Sequence, residues 1–246
     1  MSIKTIGLLG GTSWPSTPLY YRYINERISA ALGGYHSARI ILYSIDYQPI
    51  KSLYPDGWDE IPYVLKSELR QLDDMGPDCI LICNNTLHKA YDALVEDQEI
   101  ALEAQLIHIV VATAKKALSM NAQRVLLLGT KFTMEDGFFA DRLRFFGLDV
   151  DVPNEGHRND IQEMQSQIAA GKDCVAFKPR FQEILSSYSG FDAVVLGCTE
   201  LPMVITSQET DIPIINPIEA QCDVAIDLVL SSFKKGNLGR MDAEPV

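Results

Sequence analysis

Residues 193–201 read AVVLGCTEL, an apolar run that ends in a glycine, a thiol and two polar side chains. A short run rich in valine and leucine and bounded by glycine predicts a buried strand. The thiol of Cys198 therefore falls where a strand gives way to a turn or a helix. In open α/β proteins, ligands bind at this end of the strands, so Cys198 stands where a reactive group can meet a ligand.

A second apolar run, residues 79–83 (CILIC), lies earlier in the chain and ends in Asn84-Asn85-Thr86-Leu87-His88. Both runs are followed by short polar side chains, which are typical of the first turn of a helix and can also face a ligand. The two stretches resemble matching halves of one site. They differ in one respect, because Asn84 stands where the later half has a thiol.

Apolar runs rich in β-branched residues alternate with amphipathic stretches along the chain. The predicted strands are residues 3–9, 38–44, 79–83, 107–111, 125–128, 150–152, 193–196 and 212–215, and the predicted helices include residues 17–32, 60–75 and 160–170. Strands that alternate with helices favour a mostly parallel sheet covered on both faces. The expected fold class is therefore α/β.

An internal repeat is visible as three short matches in the same order. Residues 8–12 (LLGGT) match 127–130 (LLGT), 81–84 (LICN) match 195–198 (VLGC), and 106–109 (LIHI) match 213–216 (PIIN). These matches predict two similar α/β lobes, residues 1–112 with 213–246 and residues 113–212. We expect their strand ends to converge on a cleft, a common place for a small-molecule substrate.

The composition argues against several classes of protein. The chain has 246 residues, of which 47% are hydrophobic and 22% charged, and a formal net charge of −12. This charge argues against general binding to nucleic acid or to anionic membranes. No apolar run approaches the ~20 residues of a membrane span and no leader pattern opens the chain, so we expect neither membrane insertion nor secretion. The five cysteines lack metal-ligand spacing, which predicts reduced thiols, a cytoplasmic location and no metal site.

Four residues are candidates for a role in proton transfer. Cys198 is either a small buried hydrophobe or a base, and a helix beginning near Thr199 would favour its thiolate. Glu200 is either an assistant to this thiol or a carboxylate in the first turn of a helix. Asn84 occupies the position that matches the thiol, and His88 lies one helical turn further on, facing either the same cleft or the core.

A larger set of polar residues is expected to bind substrate. Backbone N–H groups and hydroxyls at helix starts can hold carboxylates, although ordinary N-capping explains the same residues. The glycine-rich turn after the first strand lacks the third glycine and the acidic residue of a dinucleotide site, so we interpret it as a tight ligand-facing turn. A loop arginine is either a partner for a substrate carboxylate or a solvated side chain. The set comprises Thr12, Ser13, Asn85, Thr86, Thr130, Thr133, Arg158 and Thr199.

Together these residues resemble the aspartate/glutamate racemase family, whose members work without pyridoxal phosphate. The resemblance covers nearly the whole chain and includes residues 6–11 (IGLLGG), Asn85-Thr86-x-His88, Thr130-x-x-Thr133, Gly197-Cys198-Thr199-Glu200 and Pro213-x-x-Asn216-Pro217. It implies two Rossmann-like lobes with mostly parallel sheets related by a pseudo-twofold axis, no cofactor and a homodimer. It also implies a racemase that acts on aspartate or glutamate in the cleft between the lobes.

The resemblance further implies two thiols on opposite sides of the substrate Cα, one removing the proton and the other protonating the far face. Cys198 matches one of them, and the implied substrate contacts are Asn85, Thr86, Thr130, Thr133 and Thr199. Asn84 replaces the other thiol, and an amide neither gains nor loses a proton near neutral pH. Cys83 lies one residue too early, on the opposite face of the strand. Racemisation then needs another proton carrier opposite Cys198, such as water relayed by His88.

Two other functions remain open from the sequence. A single thiol in this scaffold resembles the arrangement of arylmalonate decarboxylases, in which one thiol protonates the planar intermediate left by carbon dioxide. The other function is a catalytically silent protein that binds acidic amino acids, which Asn84 favours. The intact polar turns for a second carboxylate favour the racemase over the decarboxylase.

Overall fold

The computed structural model describes residues 4–54, 56–206 and 208–241. The chain forms two compact units, of which the first contains the chain up to His108 and from Gln221 onward, and the second is Ile109–Ala220. Each unit holds one four-stranded sheet, and the strand pairings described are all parallel. The α/β class expected from the sequence is therefore confirmed.

The elements alternate along the chain as expected. The strands are β1 (Thr5–Gly10), β2 (Arg39–Ser44), β3 (Cys79–Ile82), β4 (Gln105–Leu106), β5 (Arg124–Leu128), β6 (Asp149–Asp151), β7 (Ala193–Leu196) and β8 (Ile214–Ile215). The α-helices are α1 (Thr17–Leu32), α2 (Gln48–Lys51), α3 (Ile61–Asp73), α4 (Leu87–Glu96), α5 (Ile109–Ser119), α6 (Lys131–Glu135), α7 (Phe138–Phe145), α8 (Glu155–Ala169), α9 (Lys178–Ser186) and α10 (Pro217–Met241). Short 3₁₀ turns lie at Trp58–Glu60, Cys174–Phe177 and Leu201–Met203.

The two sheets repeat one topology. Their strand orders are β2-β1-β3-β4 and β6-β5-β7-β8, so each strand of the first sheet corresponds to the strand four places later in the chain. The three sequence matches fall at the ends of β1 and β5, of β3 and β7, and of β4 and β8. The internal repeat in the sequence is thus a repeat of the fold.

One predicted strand, residues 107–111, is wrong. The strand β4 ends at Leu106, and helix α5 begins at Ile109. The apolar residues of this run belong to a buried helix, since Ile109 and Val110 pack in the core with Ala114. A short apolar run in a strand cannot be distinguished from one in a buried helix by periodicity. Ile3, in the first predicted strand, lies outside the described residues.

The two faces of the second sheet carry separate apolar clusters. Val125 and Leu127 pack on one face with residues of α5 and α7, whereas Leu126 and Leu128 pack on the other with residues of α8 and α9. Side chains alternate between the faces of a strand, so helices have to cover both sides of a buried sheet. Cys198 belongs to the cluster that α8 and α9 cover.

The register of the sheets brings neighbouring strand ends to one level. In the first sheet, Leu9 is paired with Ile82, and in the second, Leu128 is paired with Leu196. The residues that follow these pairs are the polar turns predicted to form the candidate site. In each unit, adjacent parallel strands therefore present their turns side by side.

The turn after β1 requires glycine at position 11. Gly11 has a φ of +86°, and a Cβ at this position would lie 2.1 Å from the carbonyl oxygen of Ile45. These two segments of the chain are held together by a hydrogen bond of 3.1 Å from the N–H of Ile45 to the carbonyl of Gly10. A side chain at position 11 would therefore separate the exits of β1 and β2.

We expect Gly11→Ala to lower the free energy of unfolding by about 3 kcal/mol or more, because a collision with the backbone adds to the strain of a positive φ. The matched control is Gly34→Ala, where φ is +56° and no atom lies within 4 Å of the new Cβ. That control should cost only about 1–2 kcal/mol. Urea unfolding of both variants measures the difference, and equal losses would show that the contact with Ile45 imposes no constraint.

Candidate active site

Cys198 lies two residues beyond the end of β7, and its thiol is hydrogen-bonded to a carboxylate. The residue is 6% exposed, and its Sγ donates a hydrogen bond of 2.8 Å to Oε2 of Glu200. The hydroxyl of Thr199 donates to the same oxygen at 2.9 Å. Three candidates from the sequence thus form one hydrogen-bonded group, which we call the thiol–carboxylate cluster (Cys198, Thr199 and Glu200).

The surroundings of Cys198 keep its thiol protonated. Burial raises the pKa of Cys198 well above its usual range, and the Glu200 carboxylate raises it further. The backbone N–H groups of Glu200 and Leu201 oppose this rise, because hydrogen bonds to sulfur favour its charged form. The helix expected near Thr199 is only the 3₁₀ turn Leu201–Met203, so the dipole of a longer helix does not stabilise the charged sulfur. The surroundings of Cys198 therefore favour the thiol over the thiolate at rest.

The turn after β5 lies beside the turn of Cys198. The N–H of Gly197 donates to the carbonyl of Leu128 at 2.6 Å, and a Cβ on Gly129 would lie 3.2 Å from the Gly197 carbonyl oxygen. Thr133 is 1% exposed, and its N–H donates to Oγ1 of Thr130, which caps α6. Both threonines thus shape this turn, and their contact with substrate stays a prediction.

The structure pairs Arg158 with other residues of the second unit and places another cation, Lys131, in contact with the same helix, α8. Nε of Arg158 lies 2.8 Å from Oε1 of Glu135, and Nη1 donates to the Pro153 carbonyl at 2.7 Å. Nζ of Lys131 donates to the neutral Oδ1 of Asn159 at 3.0 Å, and the described residues place no carboxylate in ion-pair contact with it. Sequence reasoning missed this lysine, although it stands inside the Thr130-x-x-Thr133 motif.

Asn84 lies two residues beyond the end of β3, and its amide oxygen satisfies a backbone group at a helix start. Its Oδ1 accepts a hydrogen bond of 3.0 Å from the N–H of Leu87, the first residue of α4. Burial raises the pKa of the Tyr47 phenol, and the side chains of Tyr54 and Asn84 oppose this rise. Satisfying an N–H at a helix start contributes about 1 kcal/mol. The side chain of Asn84 therefore has a structural role at the position where the resemblance implies a thiol.

Cys83 is enclosed within the first unit. The residue is fully buried, and burial raises the pKa of its thiol. Burial raises the pKa of Tyr20 on α1, and the Cys83 thiol raises it further. The preceding Ile82 packs with the residues of α3. The hydroxyl of Thr12 donates to the Cys83 carbonyl at 3.1 Å and so joins the turn of β1 to the end of β3.

Asn85 carries a buried acceptor that has no partner among the described residues. The residue is 6% exposed and its Oδ1 is fully buried. A buried amide oxygen without a hydrogen bond costs about 1–3 kcal/mol, so such an atom indicates a place for a ligand donor or an ordered water. The neighbouring Thr86 is half-buried, and the carbonyl of Ser13 accepts the N–H of Ser16 at the start of α1.

His88 lies in the core of the first unit. It is 0% exposed, and its ring centroid is 4.4 Å from that of His108. Its Nε2 lies 3.5 Å from Nε2 of Gln221, and Nε2 of His108 is 3.2 Å from the Asp92 carboxylate. These contacts account for His88 as a core residue, and its role as a water relay stays a prediction.

Sequence reasoning also missed Tyr47, a phenol just beyond the end of β2. Tyr47 follows β2 by three residues and packs on the cluster that contains Ile82 and Leu87. Burial raises the pKa of Tyr54, and the Tyr47 phenol raises it further. The Lys51 ammonium lies 5.1 Å from the Tyr54 ring centroid. The available signal was a tyrosine just beyond a predicted strand, at the end of the sheet where the other turns lie.

Two kinds of feature are absent from the described residues. They contain no group of three or more His, Cys, Asp or Glu side chains arranged to hold a metal ion. None of their helices combines the length and apolar character that crossing a membrane requires.

The chain is similar to amino-acid racemases in sequence. The sequence pattern of the Asp/Glu/hydantoin racemase family matches residues 9–225. The broad specificity amino-acid racemase RacX of Bacillus subtilis (strain 168) is 24% identical over 221 residues, which cover 86% of this chain and 92% of RacX.

Solved structures agree with this similarity. A candidate Asp/Glu racemase from Yersinia pestis matches with a TM-score of 0.82 and 31% identity, over 92% of this chain and 99% of that one. An aspartate racemase homologue from Pyrococcus horikoshii OT3 matches with a TM-score of 0.78 and 28% identity, over the same shares of the two chains. Because the family pattern spans most of the sequence, the chain belongs to the Asp/Glu/hydantoin racemase family.

Proposed function

We propose that this protein is a cofactor-independent racemase of acidic amino acids, in which Cys198 exchanges a proton with the substrate Cα. The observation that carries the proposal is the hydrogen bond of 2.8 Å from Cys198 Sγ to Oε2 of Glu200. In this contact the thiol is the acid, and the carboxylate is a base that can accept its proton. Membership of the racemase family and the aspartate racemase homologue among its relatives support this chemistry and this class of substrate.

The thiol–carboxylate cluster supports proton transfer in both directions. Glu200 accepts the proton of Cys198, and the resulting thiolate removes the Cα proton while the electron pair moves into the substrate carboxylate. In the reverse direction the thiol protonates the planar carbanion. A positioned acid or base of this kind contributes about 10²–10⁴-fold to a rate, and the N–H groups of Glu200 and Leu201 stabilise the charged sulfur.

Two further side chains suit the charges of an acidic amino acid. We assign the buried Oδ1 of Asn85 to the α-ammonium group, because this acceptor has no partner among the described residues. We assign Lys131 to a carboxylate, because its ammonium is bonded only to a neutral amide oxygen in the described contacts. The sequence-predicted hydroxyls of Thr12, Thr86, Thr130 and Thr199 complete the proposed binding set.

A second candidate is a silent protein that binds acidic amino acids without turnover. Asn84 favours this function. Its amide oxygen accepts the N–H of Leu87 at the start of α4, and the amide neither gains nor loses a proton at the position where the family resemblance implies a thiol. Proton exchange at Cα distinguishes the two, since a silent protein retains the substrate hydrogen.

We expect the protein to exchange the α-hydrogen of aspartate or glutamate in D₂O and to invert the centre. Cys198→Ala should lower both rates by about 10²–10⁴-fold, since it removes the acid and base together. Mass spectrometry of the recovered amino acids measures deuterium, and chiral chromatography measures inversion, for both enantiomers of each substrate.

The matched control for this loss is Cys174→Ala. The Cys174 thiol donates to the Met203 carbonyl and lies outside the thiol–carboxylate cluster, so its removal should leave both rates unchanged. Absence of exchange and inversion with all four substrates would contradict the racemase. Calorimetric binding of aspartate or glutamate without exchange would select the silent binding protein.

We expect Glu200→Gln to lower the pKa of Cys198 while also slowing racemisation. The pKa falls because the carboxylate that raises it is gone, whereas the rate falls because the thiol loses its proton acceptor. The pH dependence of iodoacetamide labelling at Cys198, mapped by mass spectrometry, measures the first effect, and the exchange assay measures the second. The exposed Glu183→Gln is the control, and labelling that follows the same pH curve in Glu200→Gln as in the parent protein would exclude a role of this carboxylate.

A further inference from the structure

A buried carboxylate lies in the chain that follows the thiol–carboxylate cluster. Glu209 stands eleven residues beyond Cys198, in the same compact unit, and is only 6% exposed. A buried charge is costly unless an opposite charge and hydrogen bonds surround it. The proton transfer proposed for Cys198 does not use this carboxylate, so its burial has to serve another purpose.

Glu209 joins two parts of the second unit. Its Oε2 accepts the N–H of Thr206 at 2.8 Å and the hydroxyl of Thr206 at 2.6 Å. Its Oε1 lies 2.8 Å from Nζ of Lys178, the first residue of α9. Each carboxylate oxygen thus holds a different element. We call these three residues the anchor (Lys178, Thr206 and Glu209).

The surroundings of Glu209 keep it charged. Hydrogen bonds from Lys178 and Thr206 lower the pKa of Glu209 to about 2, and burial only partly opposes them. The carboxylate is therefore ionised throughout the pH range in which a thiol is titrated, and the anchor stays intact during such a titration.

The segment 201–206 connects the anchor to the turn of Cys198. Leu201 and Ile205 are buried and pack in one apolar cluster with Cys198. The carbonyl of Leu201 accepts the N–H of Ile205 at 2.8 Å, and Thr206 of the anchor comes next in the chain. Because a close-packed interior transmits strain, a displacement at Thr206 is felt at the beginning of this short segment.

The beginning of the segment fixes Glu200. The N–H of Met203 donates to the Glu200 carbonyl at 3.0 Å, so the 3₁₀ turn holds the backbone of this residue. The Glu200 carboxylate accepts hydrogen bonds from Cys198 and Thr199. A base works only within hydrogen-bond reach of the proton that it accepts. The contact of Glu200 with Sγ therefore depends on a turn whose segment is anchored at its far end.

We propose that Glu209 is a positioning residue of the racemase, which anchors the segment 201–206 to α9 and thereby holds the Glu200 carboxylate against Sγ of Cys198. This inference rests on the proposed function for its effect on the rate, whereas the state of the thiol is measured without turnover. Glu209 takes no part in proton transfer and acts only through Glu200. Without it, the ion pair that ties the segment to α9 is gone.

The test compares Glu209→Ala, Glu200→Gln and the double variant by iodoacetamide labelling of Cys198 across pH and by exchange in D₂O. Glu209→Ala should lower the pKa of Cys198, as Glu200→Gln does, because the carboxylate that raises this pKa is displaced. Exchange should fall by about ten-fold, mainly in kcat, because a displaced base slows the chemical step. In the Glu200→Gln background, Glu209→Ala should change labelling and exchange rates by less than about two-fold, because residues that act through each other are not additive.

Glu183→Gln on α9 is the matched control. It breaks the exposed ion pair with Arg180 and should leave labelling and exchange as in the parent protein. An unchanged labelling curve in Glu209→Ala would overturn the inference. Equal effects of Glu209→Ala in the parent and in the Glu200→Gln background would also overturn it, because Glu209 would then stabilise the unit as a whole without acting through Glu200.

A second pair of variants covers the case in which Glu209→Ala does not fold. Lys178→Met removes the ion pair and leaves the bonds from Thr206 in place, so it should show the same non-additive losses on a smaller scale. Lys178→Arg keeps a charged donor and should behave as the parent protein. Parent behaviour of Lys178→Met would count against the anchor. If the parent protein exchanges no substrate hydrogen, the proposed function fails, while labelling of the same variants still decides whether Glu209 positions Glu200.

Discussion

The level register of adjacent parallel strands is the constraint on which both halves of the candidate site depend. Leu128 pairs with Leu196, so Gly129 and Gly197 leave the second sheet side by side. A Cβ on either glycine would lie about 3 Å or less from atoms of Thr133. Glycine at these exits is therefore required by space, and it allows the turn that presents Cys198 to lie directly against its neighbour.

The two sheets share one strand order but end in different local structures. After β3 the chain enters α4, a helix of ten residues, and Asn84 satisfies the N–H of its first residue. After β7 it makes only the three-residue 3₁₀ turn Leu201–Met203. Such a short turn leaves fewer N–H groups that need a cap, so position 198 is free to carry a thiol. The same topology thus supports a hydrogen bond to a helix start in one unit and a hydrogen-bonded thiol and carboxylate in the other.

The fold was largely predictable, because its signals are local. The limits of α1 agree with its amphipathic pattern, and the repeat is visible in the glycine turns after β1 and β5. The strand predicted at 107–111 failed because a buried helix carries the same apolar run as a buried strand. The partners of the site residues were harder to predict. The contact of Thr12 with the Cys83 carbonyl depends on strand register, and the neutralisation of Arg158 depends on Glu135, which lies on another helix.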